Sequence, residues 1–348
     1  MLVNDSAWFA EIAPSWDKDS QPCYVVVVKQ NFEYSNQGEV SVEPSGPDIT
    51  MGDGYQGEGA LCELIAANDM VPFKQGFEWY GHLTCFPPTD RAAHVMEVSV
   101  ELINEHGVLM NKTLRVTGER RWRWSLFGAV AKDLQPLKPT LLSYALAFGG
   151  QVPNKPQIMD RANPIGRGFK LRNRDGIGLL LPQVEYADQV LRKPRDTTPV
   201  ASFAPIPHFW SPRLELQPEL DVQAVVAGDY PYSEDLCAHF HNYAPADQCL
   251  PCTLKPHTTI ALSGLTKGQP YGQKVTFELP YIKPELVMMR GAMQTSLNMV
   301  CDSLILDTHT QQFSLLWRTT VKQDGIHPMD TLIVMPEQAP LPETESSV

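Results

Sequence analysis

Fourteen of the chain's 30 prolines lie between residues 151 and 256, and this density constrains the fold more than any other feature. A proline inside a helix removes a backbone donor and clashes with the preceding turn. Long helices are therefore excluded from the middle of the chain. A structureless stretch of about 100 residues does not fit a compact domain either. The segment should consist of extended pieces and tight turns laid against sheets, with its Trp, Phe and Leu residues as the contacts.

Strand signals dominate on both sides of it. Residues 23–34 (CYVVVVKQNFEY) are rich in β-branched and aromatic side chains. Residues 75–86, 94–103 and 108–115 follow, with turn signals between them. Val98, Val100 and Leu102 alternate with Ser99, Glu101 and Ile103, the pattern of a half-buried strand. Asn104-Glu105-His106-Gly107 then connects a hairpin. Strands return at 258–262, 274–279, 303–306, 312–321 and 331–334, and Ser314 to Arg318 (SLLWR) has the look of a buried one. Residues 61–68 (LCELIAAN) fit either a short helix or a strand, and 235–240 fit a single helical turn. The expected fold is mainly β: antiparallel sheets forming a sandwich or open barrel, with a proline-rich irregular middle and little helix. It should occupy residues 1–335, either as one domain or as β lobes 1–150 and 257–335 joined by 151–256. Residues 336–348 should be a flexible acidic tail.

With 40 acidic against 28 basic residues the formal net charge is −12. Phosphate backbones and anionic membrane surfaces are repelled by such a chain, so neither nucleic acid nor membrane is an expected partner. The N-terminus lacks a basic, then apolar, leader, and the longest strongly apolar run, Tyr24 to Val28, is too short to cross a bilayer. Seven cysteines, an odd number spread from Cys23 to Cys301, suit reduced thiols and a cytoplasmic protein.

Three constellations could carry chemistry. Cys237, His239 and His241 precede Cys249-x-x-Cys252, a ligand pair with zinc-type spacing. Zinc sites usually show two spaced pairs, whereas the first group here has strand-like i, i+2, i+4 spacing. Cys249, His241 and Asp247 could also be a nucleophile, base and orienter. Gly52-x-Gly54-x-x-Gly57 matches a dinucleotide fingerprint but lacks the preceding strand and following helix. Arg115, Arg120, Arg121 and Arg123 interleave with Trp122 and Trp124. On a strand both tryptophans would share one face, as core, and Arg121 and Arg123 the other.

Several runs, in order, resemble one bacterial family, the domain of unknown function 2169 (DUF2169) family. They include Val25 to Lys29 with Phe32, Tyr55-x-Gly57-Glu58, and Asn68 to Lys74 (NDMVPFK). Lys112-x-Leu114-Arg115-Val116-x-Gly118-x-Arg120-x-Trp122 and Ser143 to Gly150 (SYALAFGG) come next. Then follow Asn163 to Phe169 (NPIGRGF), Pro194-Arg195-Asp196, Phe203-x-Pro205-Ile206 with Trp210 and Arg213, and Asn242-x-Ala244-Pro245-x-Asp247-Gln248. The resemblance implies a non-catalytic, cofactor-free adaptor of type VI secretion. Such a protein binds a cognate toxic effector and helps load it on the VgrG spike. The alternatives are a Cys/His-dependent enzyme or zinc-binding protein, and a structural component of the spike itself. The pattern passes over Cys237, His239, His241, Cys249 and Cys252. The Met-rich stretch 286–302 departs from it most.

The partner-binding or motif residues singled out are Arg161, Asn163, Pro164, Gly166, Arg167, Gly168 and Phe169, with Arg195, Asp196, Trp210, Arg213, Asn242, Asp247 and Gln248. Pro164 biases Asn163 toward extended backbone. Gly166 and Gly168 permit close approach or positive φ. Arg167, held between them, can be aimed at a fixed carboxylate or carbonyl, in a network that Arg161, Arg195 and Asp196 would extend. The same motif could equally stabilise the proline-rich loop internally, since a buried loop must satisfy its backbone groups.

Overall fold

A computed structural model describes residues 1–126, 128–132, 134–152, 154–170, 172, 176–193, 195–270, 272–327 and 329–335. The acidic tail expected at 336–348 lies outside the described residues, as does Pro194 of the Pro-Arg-Asp run.

Three larger sheets organise the chain. The seven-stranded sheet runs, edge to edge, Cys249–Leu250, Phe77–His82, Val300–Asp307, Gln312–Lys322, Pro22–Tyr34 and Phe9–Trp16, with Val40–Val42 added on Pro22–Tyr34. Its neighbours are antiparallel except Phe77–His82 beside Val300–Asp307. The five-stranded sheet runs Val184–Tyr186, Gly107–Thr117, Val95–Asn104, Thr259–Ser263 and Lys274–Glu278. A four-stranded sheet joins Leu2–Asn4, Thr331–Val334, Leu286–Arg290 and Met293–Leu297. The two β-rich sections of the sequence share both large sheets: Pro22–Tyr34 pairs with Gln312–Lys322, and Val95–Asn104 with Thr259–Ser263.

The main core lies between the large sheets. Val98, Val100, Leu102, Ile260 and Phe277 of one meet Val28, Phe32, Trp79, Leu315 and Trp317 of the other. Pro22–Tyr34 is buried on both faces, which is why it reads as an unbroken apolar run rather than an alternation. Val26, Val28 and Phe32 enter this core, while Val25 and Val27 face a second one with Ile49, Met70 and Leu316. Residues 48–74 and 239–249 supply the outer cover of that second face.

The proline-rich middle is built as expected, from turns and short bridges. Its longest helix among the described residues is Val222–Ala227. Phe148–Gly149 pairs in parallel with Arg167–Gly168. Tyr144, Ala204, Ile206 and Trp210 form a cluster in which the Tyr144 and Trp210 rings meet edge to face at 5.3 Å.

Some expectations need correction. Trp122 is buried against Phe148, Leu181 and Leu191, but Trp124 is 67% exposed. Their strand, Arg121–Ser125, pairs with Gly128–Lys132 in a separate hairpin, so only its first tryptophan reaches a core. Residues 61–68 resolve into the strand Glu63–Ala66 after one 3-10 turn. Residues 235–240 hold no helix. The strand Phe9–Trp16 and the hairpin Leu286–Arg290/Met293–Leu297 were not anticipated.

Candidate partner-binding groove

The run Asn163 to Phe169 is a lock on the run before it. Asn163 is fully buried, and its Nδ2 donates to the carbonyls of Tyr144 (2.8 Å) and Phe148 (2.9 Å). Arg167 donates from Nε to the Ala145 carbonyl at 3.0 Å and from Nη1 to Gln183 at 2.8 Å. Gln183 in turn donates to the Thr117 carbonyl, tying the loop to the five-stranded sheet. Phe169 N–H donates to Gly149, and Pro164 is buried. A Cβ on Gly166 would sit 2.4 Å from Asn163 Nδ2 and 2.8 Å from the Ala147 carbonyl, so only glycine fits. Gly168 lies at φ +95°. The arginine is thus aimed at a carbonyl. Arg161 and Arg195 are exposed, and Asp196 accepts from the backbone of Arg192 and Lys193, so these three stand outside the lock.

The second motif, Asn242 to Gln248, is fixed to the seven-stranded sheet. Glu78 is fully buried and accepts from Asn242 Nδ2 (3.1 Å) and from the N–H groups of Tyr243 (2.9 Å) and Ala244 (3.1 Å). Lys74 completes its shell at 2.5 Å. Gln248, also fully buried, donates to the carbonyls of Trp79 and Phe203 and accepts from Lys112 at 2.6 Å. Lys112 Nζ also meets Asp247 Oδ1 at 2.9 Å. Burial pushes this ammonium down to about 8 against the pull of Asp247. Asp247 keeps 40% of its side chain exposed and accepts from the Tyr186 hydroxyl at 2.9 Å. Arg213 is buried over the Tyr243 ring, 4.1 Å from its centroid, and donates to the Ile206 carbonyl. Trp210 is buried and its indole N–H donates to the Ala60 carbonyl at 3.0 Å.

The Cys/His group does not converge. Cys237 and Cys252 are exposed while Cys249 is partly buried, its thiol pushed up to about 12 by burial. A thiol held that high is a poor nucleophile at neutral pH. His241 Nε2 is sealed from solvent without a hydrogen-bond partner, and its ring stands nearly perpendicular to those of Phe73 and Phe240. Burial and the nearby charges of Arg318, Lys74 and Arg213 hold its imidazole down to about 3. Asp247, the supposed orienter, is taken by Lys112 and Tyr186. Among the described residues no group of three or more His, Cys, Asp or Glu side chains is placed to hold a metal. The glycine fingerprint spans the short strand Gly54–Gln56, which pairs antiparallel with Glu63–Ala66, and the turn after it, where Gly57 has φ +117° and a 3-10 turn follows.

What these anchored motifs leave open is a groove in the proline-rich layer. Two hollows of about 410 and 500 Å³ share Ile206, Pro212 and Ala246 as a common ridge. The first is walled by Leu216, Leu250 and Pro251, the second by Tyr144, Pro199 and Val200. Asp247 marks the second, while Arg213, His239 and Asn242 mark the first. Apolar walls with a few fixed polar groups are the usual character of a binding hollow. Sequence reasoning did not single out Pro212, Ala246 or Tyr186. The close spacing of Pro205, Pro207 and Pro212 is the signal that could have pointed to this part of the surface, since such prolines keep backbone from covering it with regular structure.

A family model described as "Uncharacterized protein conserved in bacteria (DUF2169)" matches residues 19–318. No curated protein and no solved structure matches the chain.

Proposed function

The chain belongs to the DUF2169 family, and from that premise we propose that it is a non-catalytic adaptor. It binds a cognate type VI secretion effector in the cytoplasm and helps load it on the VgrG spike. The groove at the Ile206, Pro212 and Ala246 ridge is the observation that carries this reading. The motif residues spend their polar groups on one another and on the sheet, at Asn163, Arg167, Glu78, Asn242 and Gln248. They hold an irregular layer in one shape, and the shape they hold is concave and apolar. Rigid hollows of this kind accept anchoring side chains of a protein partner, and such anchors dominate interface energetics.

The test is co-expression with a candidate type VI effector. A stable complex, and loss of effector secretion when the adaptor is deleted, are expected. No complex, together with unchanged secretion, would overturn the reading.

A further inference from the structure

Between Arg213 and His239 the chain carries six carboxylates, Glu215, Glu219, Asp221, Asp229, Glu234 and Asp235, and no lysine or arginine. All six are exposed. The same segment holds the helix Val222–Ala227, which buries none of its residues. Val222 is 66%, Val225 48% and Val226 84% exposed. Their spacing of three and four residues puts them on one side of the helix. Leu214 and Leu220, on the approach to the helix, are exposed as well.

A six-residue helix containing three valines has no stability of its own. This one is held from outside. Asp221 caps the N–H groups of Gln223 and Ala224, and Gly228 closes the other end at φ +77°. Leu220 bridges to Tyr232, and Tyr230 packs edge-on against Trp16 at 5.9 Å. The segment also leaves and rejoins the body at the groove, since Leu216 before it and His239 after it both line the first hollow. The result is a braced ledge showing apolar side chains to solvent on a segment whose charged side chains are all exposed carboxylates.

From this combination we propose that the ledge docks a basic amphipathic segment of the protein partner, apolar side chains on the valines and Lys or Arg side chains over the carboxylates. The charge pattern selects the occupant: a second copy of this chain would bring a ledge of the same sign, and an anionic lipid or nucleic acid would be repelled. The inference rests on the reading of the chain as a protein-binding module and names the chemistry of the bound segment.

The test uses the full chain and a fluorescent Leu/Lys amphipathic peptide of about 18 residues, five helical turns, with a Leu/Glu peptide as its counterpart. Anisotropy should show the Leu/Lys peptide binding and the Leu/Glu peptide not binding. The variant V222S/V225S/V226S and the variant E219Q/D229N/E234Q/D235N should each weaken binding by about tenfold or more. E39Q/E58Q/E105Q, a control removing charge elsewhere, should change it by less than about twofold. Circular dichroism identifies any variant that has lost the fold. Equal weakening by the control, or none by either ledge variant, overturns the inference. If the effector binds wild-type and ledge variants alike, the ledge proposal falls and the adaptor reading stands. If the effector binds neither while the Leu/Lys peptide discriminates, the adaptor reading falls and the ledge survives.

Discussion

Lys29 Nζ lies 2.9 Å from Asp69 Oδ2 with the two side chains 3% and 0% exposed. Lys29 stands on the long strand Pro22–Tyr34, and Asp69 stands on the segment that covers the outer face of its sheet. The same ammonium donates to the Asp48 carbonyl, and the same carboxylate accepts from Thr50 N–H. Beside them Arg318 pairs with Asp302 at 2.6 Å and donates to the carbonyls of Asp69 and Val71. Buried ion pairs thus fasten an irregular layer to a regular one. An apolar contact of equal area would not fix its position as narrowly.

Removing one partner of such a pair leaves a buried, uncompensated charge. Asp69→Ala should therefore cost about 3–5 kcal/mol, and Lys29→Met/Asp69→Leu clearly less than the single change. Urea unfolding of the two variants measures the difference.

Gly166→Ala should destabilise by about 1–3 kcal/mol, because the added carbon overlaps Asn163 and the Ala147 carbonyl. Protease cleavage within residues 143–170 should accelerate in parallel, as the lock between the two runs opens. Limited proteolysis followed by mass spectrometry reads both the rate and the place.

His241 gives the fold a pH dependence. Its imidazole titrates near 3 when folded, against 6.5 for the ordinary value that the unfolded chain adopts. The unfolded state therefore binds more protons between these values, and stability falls as pH drops from 6.5 toward 3. Above 6.5 the contribution is fully present. His241→Gln should flatten this part of the stability–pH curve, as measured by thermal melts in steps of about one pH unit from about pH 7 down to about pH 4.

Much of the fold was legible because its strongest signals are local. Residues 95–104 and 107–117 show their period and their turn, and both strands form in that register. Phe9–Trp16 was illegible because it is an edge strand with a proline inside and only partial burial, so no clean alternation marks it. Trp124 was misjudged because residue type and period place it on the Trp122 face, while whether a core extends that far depends on the neighbouring chain. The motif Asn163 to Phe169 was recognisable as a fixed turn, with its internal and external uses both open. The partners of Arg167, 16 and 22 residues away, chose the internal one. The groove was invisible because its walls come from segments far apart in sequence that only the buried polar contacts bring together.

Replacing Cys249 and Cys252 with Ser should leave metal content unchanged, since the cysteines meet no converging ligand set among the described residues. Elemental analysis of the purified proteins checks this. Zinc in the wild type that disappears in the variant would restore the metal reading.

The most direct test fills the groove. Ala246 is exposed on the ridge shared by both hollows, so Ala246→Trp should block them without touching a buried contact. Isothermal titration of the effector should show tight binding to the wild type and a loss of about a hundredfold or more in the variant, with the melting temperature unchanged. Equal affinity for both proteins would contradict the claim that this chain works by offering that surface to another polypeptide.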